Sequence, residues 1–428
     1  MKRIHQKLTK IYKDLTNNVT GIVDRQSLHL AYDLVYHSVL SFNFDGVLLK
    51  KGWVECLAVG DTKCGKTQAA ERMIQHYQLG AFCPAEGSTY AGLVGSCEQP
   101  KNGKWRVKWG KIPYNNGRLL FIDEVSGMKK HEIAQFSSMR SSGVAELSKA
   151  ASARADARTR LVWISNPTDH YDEGVNSTTY GVSIIQDLIG QPEDISRFDF
   201  AIIISADEVD DDVVNSRLDR SVPHTYTSEM CRNLVMWAWT RKPDNIHILP
   251  ETADACRKYA RLMYQKYSKD FPLVNAGEQR FKLARLAVAL ACRLFSTKDG
   301  INVIVKPEHV EYIHWWLSSE YDRQSFGYDR WSNRRKRNLS ITNLQEVHQV
   351  LKNFGPQVVD QLLNTEQIGF KTVVDIHGTN DETIRPWFAT LLQNNAMTKY
   401  NTYYRKTSAG IDIMKRYLAN PEVEIGEF

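Results

Sequence analysis

The sequence predicts an α/β fold: a mostly parallel sheet flanked by helices, then a helical lid and a small C-terminal unit. Three observations carry this expectation. From about Ser27 to Ser205, helix-like and strand-like segments alternate, the pattern of parallel strands joined by helical crossovers. The run WVECLAV leads into the glycine-rich stretch GDTKCGKT, residues 60–67, and then into the helix-like QAAERMIQHY. Between about Tyr226 and Tyr321 strand signals vanish, and NLVMWAW, TADACRKYARLMYQKY, EQRFKLARLAVALACRLF and PEHVEYIHWWLSSEY show helical spacing instead.

The elements follow in order. RQSLHLAYDLVYHSVLSF has apolar residues at helical spacing, and WVECLAV, RLLFIDE, RLVWISN and FAIIIS are short runs rich in β-branched and aromatic residues, hence strands. The basic stretch YDRWSNRRKRN reads as a linker before the last unit. The expected organisation is a helical extension over residues 1–25, the α/β core over 26–225, the lid over 226–325, the linker over 326–340 and the last unit over 341–428.

A chain of 428 residues is long enough for two or three packed units. Its net charge of +6 permits nucleic acid as a partner without requiring it. Seven scattered cysteines, never spaced C-x-x-C, suggest neither a disulfide framework nor a zinc cluster, and point to a reducing cytoplasm. No run approaches the roughly 20 apolar residues of a membrane helix. The expectation is therefore a cytoplasmic protein with no membrane attachment.

GDTKCGKT fits G-x-x-x-x-G-K-[ST], a loop whose backbone N–H groups wrap phosphates. Gly60, Asp61, Thr62, Lys63, Cys64, Gly65, Lys66, Thr67 and Gln68 are the candidate nucleotide-binding residues. Gly60 and Gly65 let the backbone curl, Lys66 reaches the β- and γ-phosphates of ATP, and Thr67 offers a hydroxyl to Mg²⁺. RLLFIDEV ends a strand in Asp123 and Glu124. Phosphoryl transfer needs a carboxylate in the metal shell and a group that orients or deprotonates water, so Asp123 is assigned to Mg²⁺ and Glu124 to the water. Asn166, at the tip of LVWISNPT, either holds the attacking water or marks a turn. Arg197 precedes a strand instead of following one. It suits either a finger reaching a neighbouring subunit or a salt bridge with Asp194 or Asp199. Alkylation of Cys64 is expected to crowd out the phosphates.

Taken together, these residues resemble the AAA+ ATPases, and among them the minichromosome maintenance (MCM) helicases, over about residues 26–293. STYAGLVGSCEQPKNGKWRVKWGKIPYNNGRLLFIDEVSGM is similar to the family's stretch from the helix-two insert to the Walker B strand. SSMRSSGVAELSKAASARADARTRLVWISNP is similar to the pre-sensor-1 hairpin and sensor-1 strand, DISRFDFAIII to the arginine-finger motif and EQRFKLARLAVALA to the sensor-2 helix. The resemblance implies Asn166 as sensor 1, Arg197 as a finger acting in trans, Arg280 as the sensor-2 arginine, and hexameric rings around DNA. It also implies a basic residue of a pore hairpin at Arg158 and its tip at Arg154, with Lys149 in support. Gly65-Lys66-Thr67 replaces the family's usual Ala-Lys-Ser. About 25 residues precede the ATPase region where the family has a DNA-binding collar, which would suit a gene of a mobile element, plasmid or virus.

The last unit reads as three helices, a short hairpin and a helix, the outline of a winged helix. Its hairpin MTKYNTYYRKT sets Lys399, Arg405 and Lys406 beside three tyrosines, a mixture suited to phosphates and stacked bases or simply to packing. The whole points to an ATP-driven hexameric helicase or translocase acting on single-stranded or forked DNA, possessing or lacking a separate loader or initiator protein. The alternatives are an AAA+ initiator or remodeller that does not unwind duplex DNA, and a scaffold in which nucleotide only holds the ring together.

Overall fold

In the computed structural model the chain divides into two compact units, residues 1–330 and 331–428. Residues 1–85, 89–99, 101, 103–148, 150–168, 174–214, 218, 219, 221–267, 270–338, 344–365, 368–400, 403–419 and 421 are described.

The first unit is built on a five-stranded sheet of Glu55–Gly60, Ala81–Pro84, Leu119–Asp123, Arg160–Ser165 and Phe200–Ile204. Numbered along the chain, these strands lie in the order 5-1-4-3-2 and every neighbouring pair is parallel. Strands 1, 3, 4 and 5 are buried at every position, because helices cover both faces of a parallel sheet. The order sets strand 1 between strands 5 and 4, with Gly60 opposite Ile204 and Val59 opposite Ser165. The glycine-rich loop therefore leaves the sheet between two strand tips, and helix Lys66–Tyr77 follows it.

The lid comprises helices Ser228–Trp239, Pro250–Lys266, Gln279–Arg293 and Pro307–Tyr321. Helix Gln279–Arg293 is buried on nearly every side, so its charged residues need internal partners. Arg293 Nε meets Asp33 Oδ2 at 2.6 Å, and the Tyr77 hydroxyl donates to Asp33 Oδ1 at 2.6 Å. Asp33 thus fastens the lid to the helix that follows the glycine-rich loop.

Residues 1–25, expected as an extension, are built into this unit. Helix Lys2–Leu15 buries Leu8, Ile11, Tyr12 and Leu15, and the Asp14 carboxylate accepts the N–H groups of Thr225 and Tyr226, each at 2.7 Å. The expected linker is also ordered at its start. Tyr328 opens helix Tyr328–Asn338, stacks on Tyr267 at 4.6 Å and donates to the Phe271 carbonyl. Aromatic anchoring of its first turn outweighs the polarity of its sequence.

The second unit contains a helix over Leu344–Asn364, interrupted at Gly355 with φ of 76° just before Pro356. Helices Phe370–His377, Asp381–Gln393 and Ser408–Ala419 follow, with a three-stranded antiparallel sheet of Ile368–Gly369, Tyr403–Lys406 and Met397–Tyr400. Its own core includes Val347, Leu351, Phe354, Phe388 and Met414. Among the described residues no helix is long and apolar enough to cross a membrane.

Candidate functional site

The glycine-rich loop is shaped by two glycines with different tasks. A Cβ at Gly60 would lie 2.4 Å from the Ile204 carbonyl oxygen, so no other residue fits between strands 1 and 5 there. Gly65 has φ of 82°, a left-handed conformation that costs glycine little.

Lys66 reaches back over this loop. Its ammonium donates to the Gly60 carbonyl at 2.8 Å, the Asp61 carbonyl at 2.7 Å and Asn166 Oδ1 at 3.1 Å. All three acceptors are neutral, and burial lowers the pKa of this amine to about 8. A buried cation satisfied only by dipoles is prepared for an anion such as a phosphate. Asn166 accepts through its oxygen, which leaves its amide NH₂ to donate.

Thr67 Oγ1 donates to Asp123 Oδ2 at 2.6 Å, and Asp123 Oδ1 accepts the Glu124 N–H at 2.8 Å. A hydroxyl and a carboxylate oxygen converging at one strand tip are hard donors of the kind Mg²⁺ takes, alongside water and phosphate. The residues fit that ion. Glu124 is exposed beside them and adopts φ of 58°, left-handed for a residue with a side chain. Such strain collects at functional positions.

Asp61 was expected to contact nucleotide and has a structural task as well, whereas Ser165 carried no legible signal in the sequence. The Asp61 carboxylate accepts the Val175 N–H at 2.5 Å and the Ala206 N–H at 2.7 Å, tying the loop to the segments after strands 4 and 5. Ser165 Oγ accepts the Ser126 N–H at 3.0 Å and donates to the Asn166 carbonyl at 2.8 Å, joining the tips of strands 3 and 4. Both are short polar residues whose N–H donors, Val175, Ala206 and Ser126, lie far away in the chain. Cys64 is 8% exposed and burial pushes its thiol pKa up, so its alkylation is disfavoured both sterically and chemically.

A family model described as the MCM P-loop domain matches residues 2–222, more than half of the chain. The chain belongs to the MCM family. Two curated relatives, each called "Probable DNA helicase MCM9", come from Oryza sativa subsp. indica and subsp. japonica. Each is 25% identical over 159 residues, which span 36% of this chain and 22% of the relative. The chain thus aligns with under a quarter of those relatives' length.

Arg197, inside the matched MCM domain, and Arg280, beyond it, lie apart from the Lys66 cluster. Arg197 caps helix Pro192–Ser196 ahead of strand 5, at the amino end of the sheet. A six-residue strand at about 3.3 Å per residue separates the two ends by roughly 20 Å. Arg197 Nε donates to Ser137 Oγ at 3.2 Å, and neither Asp194 nor Asp199 pairs with it. The salt-bridge reading of Arg197 is therefore set aside. A cavity of about 320 Å³ beside it is lined by Lys51, Ser141, Phe281, Lys282 and Arg285. Exposed Arg280 lies over the Phe281 ring at 4.4 Å, next to that cavity.

The candidate nucleic-acid contacts divide. Strands Val144–Ser148 and Ser152–Asp156 form an antiparallel hairpin. Arg154 lies in its second strand opposite Glu146, with which it pairs at 3.3 Å. It is not at the turn, since the register pairs Ser148 with Ser152 there. Arg158 Nη2 donates to Asp156 at 2.9 Å, and Lys149 lies outside the described residues. In the second unit Lys399 and Arg405 are exposed on the hairpin, near the rings of Tyr404 and Tyr403. Lys406 turns inward and donates to the carbonyls of Leu362 at 2.6 Å, Leu363 at 3.0 Å and Thr365. It caps the C-terminal end of helix Leu344–Asn364, a structural task in place of the expected DNA contact.

Proposed function

We propose that this MCM-family chain is an ATP-hydrolysing DNA helicase or translocase working as a ring of identical subunits, hexameric by resemblance. One observation carries the reading. The nucleotide cluster and Arg197 sit at opposite ends of the same sheet, with Arg280 on a helix whose Phe281 lines the cavity beside Arg197, which supports a site completed by a second copy.

In this reading Lys66 binds the β- and γ-phosphates and Thr67 with Asp123 holds Mg²⁺, which supplies charge neutralisation. Glu124 takes the proton of the attacking water, and the Asn166 amide orients that water. Arg197, with Arg280, enters from the neighbouring subunit to stabilise the γ-phosphate as charge develops, a contribution worth about 10³ to 10⁵ in rate in related chemistry. The exposed Arg154–Glu146 pair is worth little by itself. A DNA phosphate can therefore displace Glu146 from Arg154, giving the hairpin a grip. The second unit, with the element order of a winged helix, presents Lys399 and Arg405 as a further DNA contact.

Strand displacement on a forked duplex with ATP tests this, comparing the intact protein with Lys66→Ala and Arg154→Ala. Unwinding lost in both variants, with ATP hydrolysis retained in Arg154→Ala, supports the motor. Hydrolysis by the intact protein without strand release, in the presence of DNA it binds, favours a remodeller instead.

A further inference from the structure

We infer that Arg140 is a positioning residue for the finger Arg197, an inference that rests on the trans reading given above. The observation behind it is the set of buried charges on either side of Arg197. Asp194 precedes it and Asp199 follows it, and each is only 1% exposed. Buried carboxylates of this kind need matched cations. Asp199 Oδ1 meets Arg285 Nε at 2.6 Å, and its other oxygen accepts the Glu55 N–H at 2.8 Å.

Asp194 faces Arg140, whose Nη1 lies 3.7 Å from its carboxylate. Arg140 Nε in turn donates to Glu55 Oε1 at 2.6 Å, an oxygen that also accepts the Trp163 indole N–H at 2.8 Å. The guanidinium packs against the rings of Phe198 at 4.3 Å and Trp163 at 5.0 Å. Arg140 therefore touches the residue three before Arg197 and the residue just after it, and anchors both to strands 1 and 4. Lys51 completes the clamp by donating to the Arg197 carbonyl at 3.3 Å while lying 3.7 Å from Glu55 Oε2.

Such a clamp leaves the Arg197 backbone little freedom. A finger must meet a phosphate on another molecule within a fraction of an ångström, and misplacement by about 1 Å costs on the order of 100-fold in rate. Arg140 belongs to helix Ser137–Ser142, whose Ser137 also accepts the bond from Arg197 Nε. The same helix ends at Gly143 and runs directly into the hairpin strand Val144–Ser148. Finger and hairpin are thus set by one short element.

The test exploits the fact that a finger works on the neighbour's nucleotide while the glycine-rich loop works on its own. Equimolar Lys66→Ala and Arg197→Ala subunits are mixed and ATP turnover is measured. The first type supplies intact fingers and the second intact loops, so turnover recovers above either variant alone. Arg140→Lys, which keeps the charge but loses the Nε–H bond to Glu55 and the flat guanidinium packed on Phe198 and Trp163, is then placed in one partner at a time. In the Lys66→Ala subunit it is expected to lower the recovered kcat at least tenfold with KM for ATP unchanged. In the Arg197→Ala subunit it is expected to leave recovery within twofold. Asp194→Asn, a nearly isosteric change, is run in parallel in case Arg140→Lys does not fold, with the same asymmetry expected. Equal loss in both positions with both substitutions, or no loss in either, overturns the positioning role. Absence of recovery in the parent mixture overturns the trans reading itself, and the inference falls with it.

Discussion

The two ends of the central sheet treat charge in opposite ways. At the carboxyl end Lys66 and Asp123 form no ion pair among the described residues, and their partners are carbonyls, an amide, a hydroxyl and a backbone N–H. At the amino end, Arg140 and Arg285 each reach a carboxylate at 2.6 Å and Lys51 lies 3.7 Å from Glu55. Charges neutralised inside the chain fix geometry. Charges left to dipoles keep most of their field for a ligand, because a neutral partner offsets far less of it than a counter-ion does.

That contrast can be broken by measurement. The largest effect is expected from Arg197→Ala, which should lower turnover by about 10³-fold while ATP affinity stays within about threefold. Lys66→Ala should instead abolish ATP binding, as read by a fluorescent nucleotide titration. Equal loss of binding in both variants would remove the functional division between the two ends. Glu124→Gln comes next, with turnover reduced about 10²- to 10³-fold and ATP still bound. Unchanged turnover in that variant would point to nucleotide as a structural ligand only.

Stability should show the reverse order. Arg285→Ala leaves Asp199 buried beside a missing cation and is expected to cost about 3–5 kcal/mol in chemical denaturation. Arg154→Ala removes an exposed pair and should cost under about 1 kcal/mol while impairing strand displacement. If the two costs were alike, the amino-end network would not be the scaffold described above.

The smallest effect is a pH dependence. Burial lowers the Lys282 amine to about 7, against the opposing influence of Asp199. Arg285 and Lys51 push it the same way as burial, and Glu278 opposes. Because the unfolded chain keeps this proton up to about pH 10 while the folded chain loses it above about 7, stability rises with pH between those values. From pH 7 to 9 the gain is about 2 kcal/mol, and Lys282→Met should flatten that rise in a melting series. An identical slope in the variant would show that another group titrates.

Much of this was legible in the sequence, for a physical reason. Strands buried on both faces must be continuous apolar runs, which is why WVECLAV, RLLFIDE, RLVWISN and FAIIIS stood out. A phosphate loop must have glycines where side chains cannot fit and a lysine at fixed spacing, so residues 60–67 declared themselves. Asp123, Glu124 and Asn166 were visible because they end apolar strands. The segments at residues 1–25 and 328–338 were less readable, since their apolar anchors, such as Ile11, Tyr12 and Tyr328, are few and separated by charges.

What the sequence by itself determined is the set of local features: strand and helix periods, loop chemistry, and the residue types a nucleotide demands. Only the tertiary structure decided which charges face one another. Glu55, Arg140, Arg285 and the neighbouring Asp194 and Asp199 come from four distant stretches of the chain, and no spacing rule links those stretches. Their pairing follows from the 5-1-4-3-2 strand order and from the burial of helix Gln279–Arg293, which force these charges to meet inside the protein. The parallel direction of the strands sets Arg197 at the far end of the sheet from Lys66, and packing within the second unit turns Lys406 into a helix terminus instead of toward solvent. Local propensity is written residue by residue, whereas charge compensation in a low-dielectric interior is a property of what packing brings together.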